Sequence, residues 1–253
     1  MKLSDRLQYI MEQIPPHSRM ADIGSDHAML PVAAVRSGRA VSAVAGEVNA
    51  GPLQAARKQV MDAGMGERIH VRQGDGLAVL RPDEADVITI AGMGGALIAN
   101  ILDSGQEKLA GVQRLVLQPN VGEDILRKWL INHNWILVNE HILEEDGKVY
   151  EILTAVPATS ISTTHADLYK PFTIAGCSVQ VDEDLMIRMG PLLLHKVNDV
   201  FIRKWQGEIA KLQHVTQQLE LAGQEAAQEK KEQLRLLIQQ LEEVLVCLPR
   251  DKQ

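Results

Sequence analysis

Five short apolar runs recur through the first half of this 253-residue chain, at Met20 to Ile23, Ala40 to Ala45, Ile69 to Val71, Val87 to Ala91 and Leu115 to Leu117. Stretches of helical spacing around 28–37, 50–63, 95–103 and 121–132 separate or follow them. Runs that are apolar throughout, rather than alternating, are strands buried on both faces, and strands separated by helices are parallel. The chain is therefore expected to form an α/β sheet covered by helices on both sides. An amphipathic helix carrying Leu3, Leu7, Ile10, Met11 and Ile14 precedes it and is stopped by Pro15 and Pro16.

The segment from Trp135 to Val156 breaks the rhythm. Two apolar stretches flank EEDGKVYE, and Asp146-Gly147 is a favoured hairpin pair. An antiparallel hairpin is thus added to the edge of a doubly wound parallel sheet, which is the Rossmann-like arrangement of a class I methyltransferase and differs from the repeated second half of a dinucleotide-binding dehydrogenase. From Ala158 to about Asp199 the periodicity is poor, and Pro171, Gly176, Gly190 and Pro191 interrupt it; this reads as a connecting region. Beyond it, Ile202, Trp205, Ile209, Leu212, Val215 and Leu219, and then Leu234, Leu237, Leu241, Val244 and Leu248, follow three-four spacing. Two long helices are expected to form an antiparallel coiled-coil hairpin around the polar AGQEAAQEKKEQ. The expected domains are 1–157, catalytic, and 158–253, connecting and helical.

Composition excludes several classes. The longest uncharged stretch, Val87 to Leu102, holds three glycines and Asn100, too short and broken to span a membrane. The start alternates charged with apolar residues, unlike a secretory signal, so a cytoplasmic protein is expected. Cys177 and Cys247 lie far apart and near no clustered His, which argues against a disulfide framework, a zinc site or any other metal. The net charge of −7 argues weakly against indiscriminate nucleic-acid binding, but the first 80 positions set nine Lys/Arg against eight Asp/Glu, so the N-terminal third is relatively basic.

Chemistry concentrates at the strand ends. The first leads into ADIGSDHAMLP, where Gly24 permits a tight turn and the following helix aims its amides above the sheet. A dinucleotide site would carry a second glycine; here Asp22, Ser25, Asp26 and His27 stand instead. Carboxylates repel a pyrophosphate but suit the ammonium and sulfonium of S-adenosylmethionine. A plain capped turn is the other reading. Glu47, with Val48 beside it, lies where an acidic side chain accepts ribose hydroxyls, and Asp75-Gly76 can meet an adenine amine or simply turn the chain. Ala91, Gly92, Met93, Gly94 and Gly95 form a side-chain-poor strand end, open to a planar substrate or to close helix packing. In LQPN, Gln118 and Asn120 offer amides to a base edge, or Asn120 caps the next helix.

The strings ADIGSDHAMLP, GEVNAGP, RQGDGL, TIAGMGGALI, LQPN and EEDGKVYEIL, in this order and over nearly the whole chain, resemble the bacterial TrmK family of tRNA (adenine-N1)-methyltransferases that act on adenine 22. The resemblance implies S-adenosylmethionine as donor and tRNA as substrate. It assigns Asp22, Gly24 and Ser25, together with Asp26, to the methionine-side loop, Glu47 to the ribose, Asp75 and Gly76 to the adenine, and the segment from Ala91 to Gly95 to the target base. Met29 stands where many members carry Tyr, so any aromatic stacking role there is filled by a softer thioether or abandoned.

Asp26 and His27 are the candidates to stabilise the charge of a methylated adenine; helix capping and a buried hydrogen-bonded His are their ordinary explanations. Lys2, Arg6, Arg36, Arg39, Arg57, Lys58 and Arg72 are expected to form a phosphate-contacting face, and the C-terminal helices to give a monomer or weak dimer. The alternatives are an S-adenosylmethionine-dependent enzyme for another RNA site, a small molecule or a protein, a nicotinamide oxidoreductase, disfavoured by the missing glycine, and a nucleoside-binding scaffold.

Overall fold

The computed structural model describes residues 2–222 and 227–248. The chain divides into two units, Met1–His165 and Ala166–Gln253. In the first, helix α1 (Asp5–Glu12) begins with the Ser4 hydroxyl accepting the Leu7 amide. There follow β1 (Ser18–Ile23), α2 (Met29–Arg36), β2 (Ala40–Glu47), α3 (Ala50–Asp62), β3 (Ile69–Gln73), β4 (Val87–Gly94), α4 (Gly95–Ser104), β5 (Arg114–Val121), α5 (Glu123–Asn132), β6 (Trp135–Glu145) and β7 (Lys148–Pro157). The sheet order is β3-β2-β1-β4-β5-β7-β6. β1 to β5 run parallel, while β7 is antiparallel to both β5 and β6. The order reverses between β1 and β4, so the crevice above their carboxyl ends is the topological switch point.

Four of the apolar runs are largely buried as expected, with Met20, Ala45, Ile88, Ile90 and Leu115 to Leu117 essentially inaccessible; the edge strand β3 buries only Ile69 of its run, and Ile10 of the first helix and Ile14 just beyond it pack into the core. One charged group is fully enclosed. Arg127 of α5 donates from Nε to Glu140 of β6 at 2.7 Å and from Nη2 to Glu151 of β7 at 2.5 Å. The three side chains pin the terminal hairpin to the helix beneath it, and the sequence reading did not anticipate them.

Within the second unit, the region read as a connector contains the helical turn α6 (His165–Leu168, which begins at the last residue of the first unit), a two-stranded ribbon of β8 (Phe172–Thr173) and β9 (Gln180–Val181), and α7 (Glu183–Met189), capped by Asp182 accepting the Leu185 amide. Such short elements carry too few periods to register as a pattern. Helices α8 (Asp199–Ala222) and α9 (Ala227–Cys247) pack together, and Gln213 bonds Glu242 across them at 2.9 Å. Trp205 is buried, as a seam residue should be. The middle of the polar segment between these helices, 223–226, lies outside the described residues. The argument against a disulfide framework is corrected: Cys177 and Cys247, 70 residues apart, form a disulfide with their Cα atoms 5.9 Å apart. Folding brings together what linear spacing kept separate. Among the described residues no helix is long and apolar enough to cross a membrane.

Removing Arg127 leaves two buried carboxylates uncompensated. Arg127→Met is expected to cost about 3–5 kcal/mol in urea unfolding, the usual consequence of breaking a buried ion network. A second ion pair sets a pH dependence: Arg72 grips Glu84 through two bonds of 2.6 Å and, with the Arg81 amide, holds its carboxyl down from 4.5 to about 2. A lowered acid pKa stabilises the fold above the unfolded value and loses that contribution as pH falls toward the folded one. The stability gap between the native chain and Glu84→Gln should therefore be full at pH 7 and close between pH 4.5 and about 2.

Candidate active site

A cavity of about 670 Å³ opens above the carboxyl ends of β1 to β5. It is built first by Asp22. This carboxylate, buried at the end of β1, accepts the Ser25 hydroxyl on one oxygen and the Thr89 hydroxyl on the other, both at 2.6 Å. Burial pushes its pKa up, the two hydroxyl bonds and the charge of Arg6 work against that, and nearby Glu47 adds to it. The bonds fasten the loop after β1 to β4. Gly24 then turns at φ +71°, a left-handed conformation that favours glycine, with the flexible end of the Met93 side chain packed over it.

Asp26 and His27 differ from their ordinary explanations. Neither is buried: their side chains are 74% and 61% exposed at the cavity wall, with His27 Nε2 3.4 Å from Asp26 Oδ1. Helix α2 begins at Ala28 with no side-chain cap, so Asp26 is not a capping residue and His27 is not a satisfied core histidine. Met29 also lines the cavity.

At the end of β2, Glu47 is buried and its Oε1 accepts the amides of Val48 and Asn49, each at 3.0 Å. Among the described residues, its second oxygen has no hydrogen-bond partner. Exposed Asp75 and its neighbour Gly76 follow β3 and face the same space. Four carboxylates, Asp22, Asp26, Glu47 and Asp75, thus line one cavity.

The glycine-rich segment divides. Ala91, Gly92 and Met93 line the cavity, whereas Gly94 and Gly95 do not. Gly95 serves packing: a Cβ would sit 2.1 Å from the Gly122 carbonyl oxygen, so only glycine lets α4 start against that backbone. Gln118 is corrected too. It is fully buried, accepts from the Gly92 amide at 3.2 Å and from Arg6 at 2.5 Å, and donates to Pro119 O and Asn120 Oδ1. Its amide is spent on holding the segment and is not presented to a base. Asn120 reaches the cavity while donating to Gly92 O at 2.8 Å, and α5 starts at Gly122 with no side-chain cap. Gly92 is held through both its N–H and its carbonyl.

The basic face fragments. Arg36 and Arg57 are exposed away from the cavity, as is Lys58, which pairs with Asp62 at 2.6 Å. Arg57 instead borders a shallow depression with His70 and Arg81 beside edge strand β3. Arg39 donates to the carbonyls of Glu12 and Ile14, and Arg72 is held by Glu84. Arg6 turns into the cavity. With Tyr150 of β7, it is a wall residue that sequence reasoning missed as such; Tyr150 lay inside the hairpin string, but nothing in the spacing marked which strand face it occupies.

Comparison with known proteins agrees with this geometry. The family model described as TrmK, tRNA (adenine(22)-N(1))-methyltransferase, matches residues 20–243. The tRNA (adenine(22)-N(1))-methyltransferase of Bacillus subtilis strain 168 is 43% identical over 242 residues, 96% of this chain and 95% of that protein. The crystal structure of the B. subtilis M1A22 tRNA methyltransferase TrmK superposes with a TM-score of 0.85 at 42% identity, covering 96% of this chain and 99% of that one. Streptococcus pneumoniae Sp1610, a putative tRNA (m1A22) methyltransferase, in complex with S-adenosyl-L-methionine gives 0.79 at 40% identity, covering 96% and 100%. The cavity at the switch point and these matches along the whole fold lead to one assignment: the chain belongs to the TrmK family of tRNA (adenine(22)-N(1))-methyltransferases.

Proposed function

We infer that this protein methylates ring nitrogen N1 of adenine 22 in tRNA, with S-adenosylmethionine as the methyl donor. The observation that carries this reading is the carboxylate-lined cavity of a TrmK-family chain, set beside the clamped Gly92 peptide. The residues fit the cofactor: the unpartnered Glu47 oxygen suits a ribose diol, Asp75 an exocyclic amine, and the negative lining an ammonium and a sulfonium. A pyrophosphate would meet four carboxylates. When bound, S-adenosylmethionine supplies an electrophilic methyl group on sulfur.

The chain's own contribution is placement. Adenine N1 is a neutral nucleophile at pH 7, so no strong base is needed, and its lone pair forms the new N–C bond as the S–C bond breaks toward sulfur. N1 is engaged in a duplex, and the base is flipped out to reach the cavity. The fixed Gly92 peptide, Asn120, Met29 and Met93 form the surface against which it is oriented. Asp26 and His27 face the product's positive charge, which an N6 proton can later carry away. Arg36 and Arg57, with Lys58, contact phosphates outside the cavity. The first unit carries this chemistry, and the α8–α9 pair supports packing in a monomer or weak dimer in the cytoplasm.

Incubation with labelled S-adenosylmethionine and unmodified bacterial tRNA should yield 1-methyladenosine on nucleoside analysis. Asp22→Ala should abolish it, and Asp75→Ala should weaken cofactor binding about tenfold or more, as loss of one charge-assisted hydrogen bond does. Cofactor binding without transfer to any tRNA would overturn the reading. Asp26→Asn should slow transfer about fivefold with unchanged cofactor affinity, since a charge pair near 4 Å in water is worth roughly 1 kcal/mol, and His27→Ala, which removes a hydrogen-bonding side chain but no anion, should slow it less; full turnover in both would remove them from the mechanism. Reversing Arg36 and Arg57 to Glu should weaken tRNA binding and flatten its salt dependence, whereas an unchanged slope would place the RNA elsewhere.

A further inference from the structure

Aromatic side chains are scarce in this chain, with Phe, Trp and Tyr at 3% of residues, and packing accounts for all but one of them. Tyr9 and Trp129 stack on His141 and His133, and Phe172 leans on His195. Trp135, Tyr169, Phe201 and Trp205 are buried. The exception is Tyr150. Half-buried on β7, it is the only Phe, Tyr or Trp among the described residues that line the cavity. Its hydroxyl has no hydrogen-bond partner among the described residues, whereas a tyrosine kept for packing alone buries its ring and ties its hydroxyl.

Its place in the cavity follows from the strand pairing. β5 and β7 are antiparallel with Leu117 opposite Leu153, and continuing that register three residues sets Tyr150 opposite Asn120. Alternation puts Gln118 and Asn120 on one face of β5, and Arg6 touches both Gln118 and Tyr150 over that face. The ring therefore stands at the β5 side of the cavity, beside the Asn120 side chain that holds the Gly92 carbonyl, with β4 and β1 between it and the strands that carry Glu47 and Asp75. The Arg6 guanidinium lies over one face of the ring, its carbon 5.0 Å from the ring centre. That contact fixes the tilt of the ring and leaves its other face to a ligand.

A nucleobase taken out of its helix loses the stacking of its neighbours, and an aromatic face in the protein replaces it. Gly92, Met93 and Asn120 bring peptide, thioether and amide to this part of the cavity but no π-surface, and Met29 adds only a second thioether. We propose that Tyr150 is the residue on which the target adenine stacks, ring against ring; the proposal rests on the reaction inferred above. Stacking fixes the plane of the base and leaves its edge, with N1 and the N6 amine, free to turn toward the methyl donor. The antiparallel hairpin at the sheet edge is then part of the acceptor site, and β7 contributes its side chain directly.

The test uses Tyr150→Phe, which keeps the ring, and two variants that remove it, Tyr150→Leu and Tyr150→Met, read in whichever of the two unfolds in urea as the native protein does. Single-turnover transfer at saturating S-adenosylmethionine and tRNA should fall at least about tenfold in the aliphatic variants, the scale of losing one base–aromatic stack, and stay native in Tyr150→Phe. Calorimetric affinity for S-adenosylmethionine should be unchanged in all three. A second readout is one that a merely structural role would not move. With 2-aminopurine at the target position of the tRNA and S-adenosylhomocysteine in the cofactor site, stacking on tyrosine quenches the bound probe, so its emission should rise in the aliphatic variants and not in Tyr150→Phe. Lost cofactor affinity in the aliphatic variants would assign the ring to the donor and overturn the proposal. A Tyr150→Phe variant as slow as Tyr150→Leu would assign the hydroxyl instead, and unmoved emission would take the base off the ring; either result also overturns it. A native protein that binds this tRNA and transfers no methyl group fails the inferred reaction, whereas full transfer in the aliphatic variants fails Tyr150 alone.

Discussion

The architecture of the site rests on one buried carboxylate. Asp22 sits at the carboxyl end of β1, where the sheet order reverses, and neighbouring β4 supplies one of its hydroxyl partners and the loop after β1 the other. An ionised group in that position would be costly to desolvate if left bare. With both oxygens occupied by Thr89 and Ser25, part of that cost is offset, burial still holding the carboxyl above its ordinary range, and the loop inherits a fixed path. Everything downstream follows from that path: the turn at Gly24, the exposure of Asp26 and His27, and the uncapped start of α2 beside the cavity.

A second layer of organisation comes from amides rather than charges. Gln118 lies fully enclosed and converts two strand ends and the first helix into a single network, with Asn120 closing it on the other side of Gly92. Buried amides that satisfy every partner rigidify what they touch. The cavity consequently has a polarised wall, with carboxylates along β1 to β3 and a neutral, hydrogen-bonded segment at β4 and β5. Methyl transfer to a neutral ring nitrogen needs that combination of a cation-tolerant donor side and an immobile acceptor side.

Much of this was legible in the chain. The buried runs predicted β1 to β5, the Asp146-Gly147 pair predicted the hairpin, and the acidic residues at successive strand ends predicted the cavity's charge. What the sequence hid was whatever depends on distance in space. Gln118 looked like a ligand-facing amide because nothing local revealed Arg6 approaching from the first helix. Gly95 looked like substrate space because its true neighbour, Gly122, lies 27 positions on. Cys177 and Cys247 looked isolated for the same reason, and α7 was lost because a single capped helix of seven residues has hardly two turns of pattern to display.

The hairpin places Tyr150 and Glu151 on opposite faces of β7, one looking into the cavity and the other into the Arg127 network. Successive strand residues alternate sides, so a slip of one position would exchange them. The acidic side chain would then enter the cavity, and Arg127 would lose half its counter-charge. The wall of the active site and the ionic core beneath it are therefore inherited as a unit: descendants of this chain can trade the side chain at position 150, but insertions and deletions in the strand are closed to them. A surface that appears free to diversify is policed by residues no substrate ever meets.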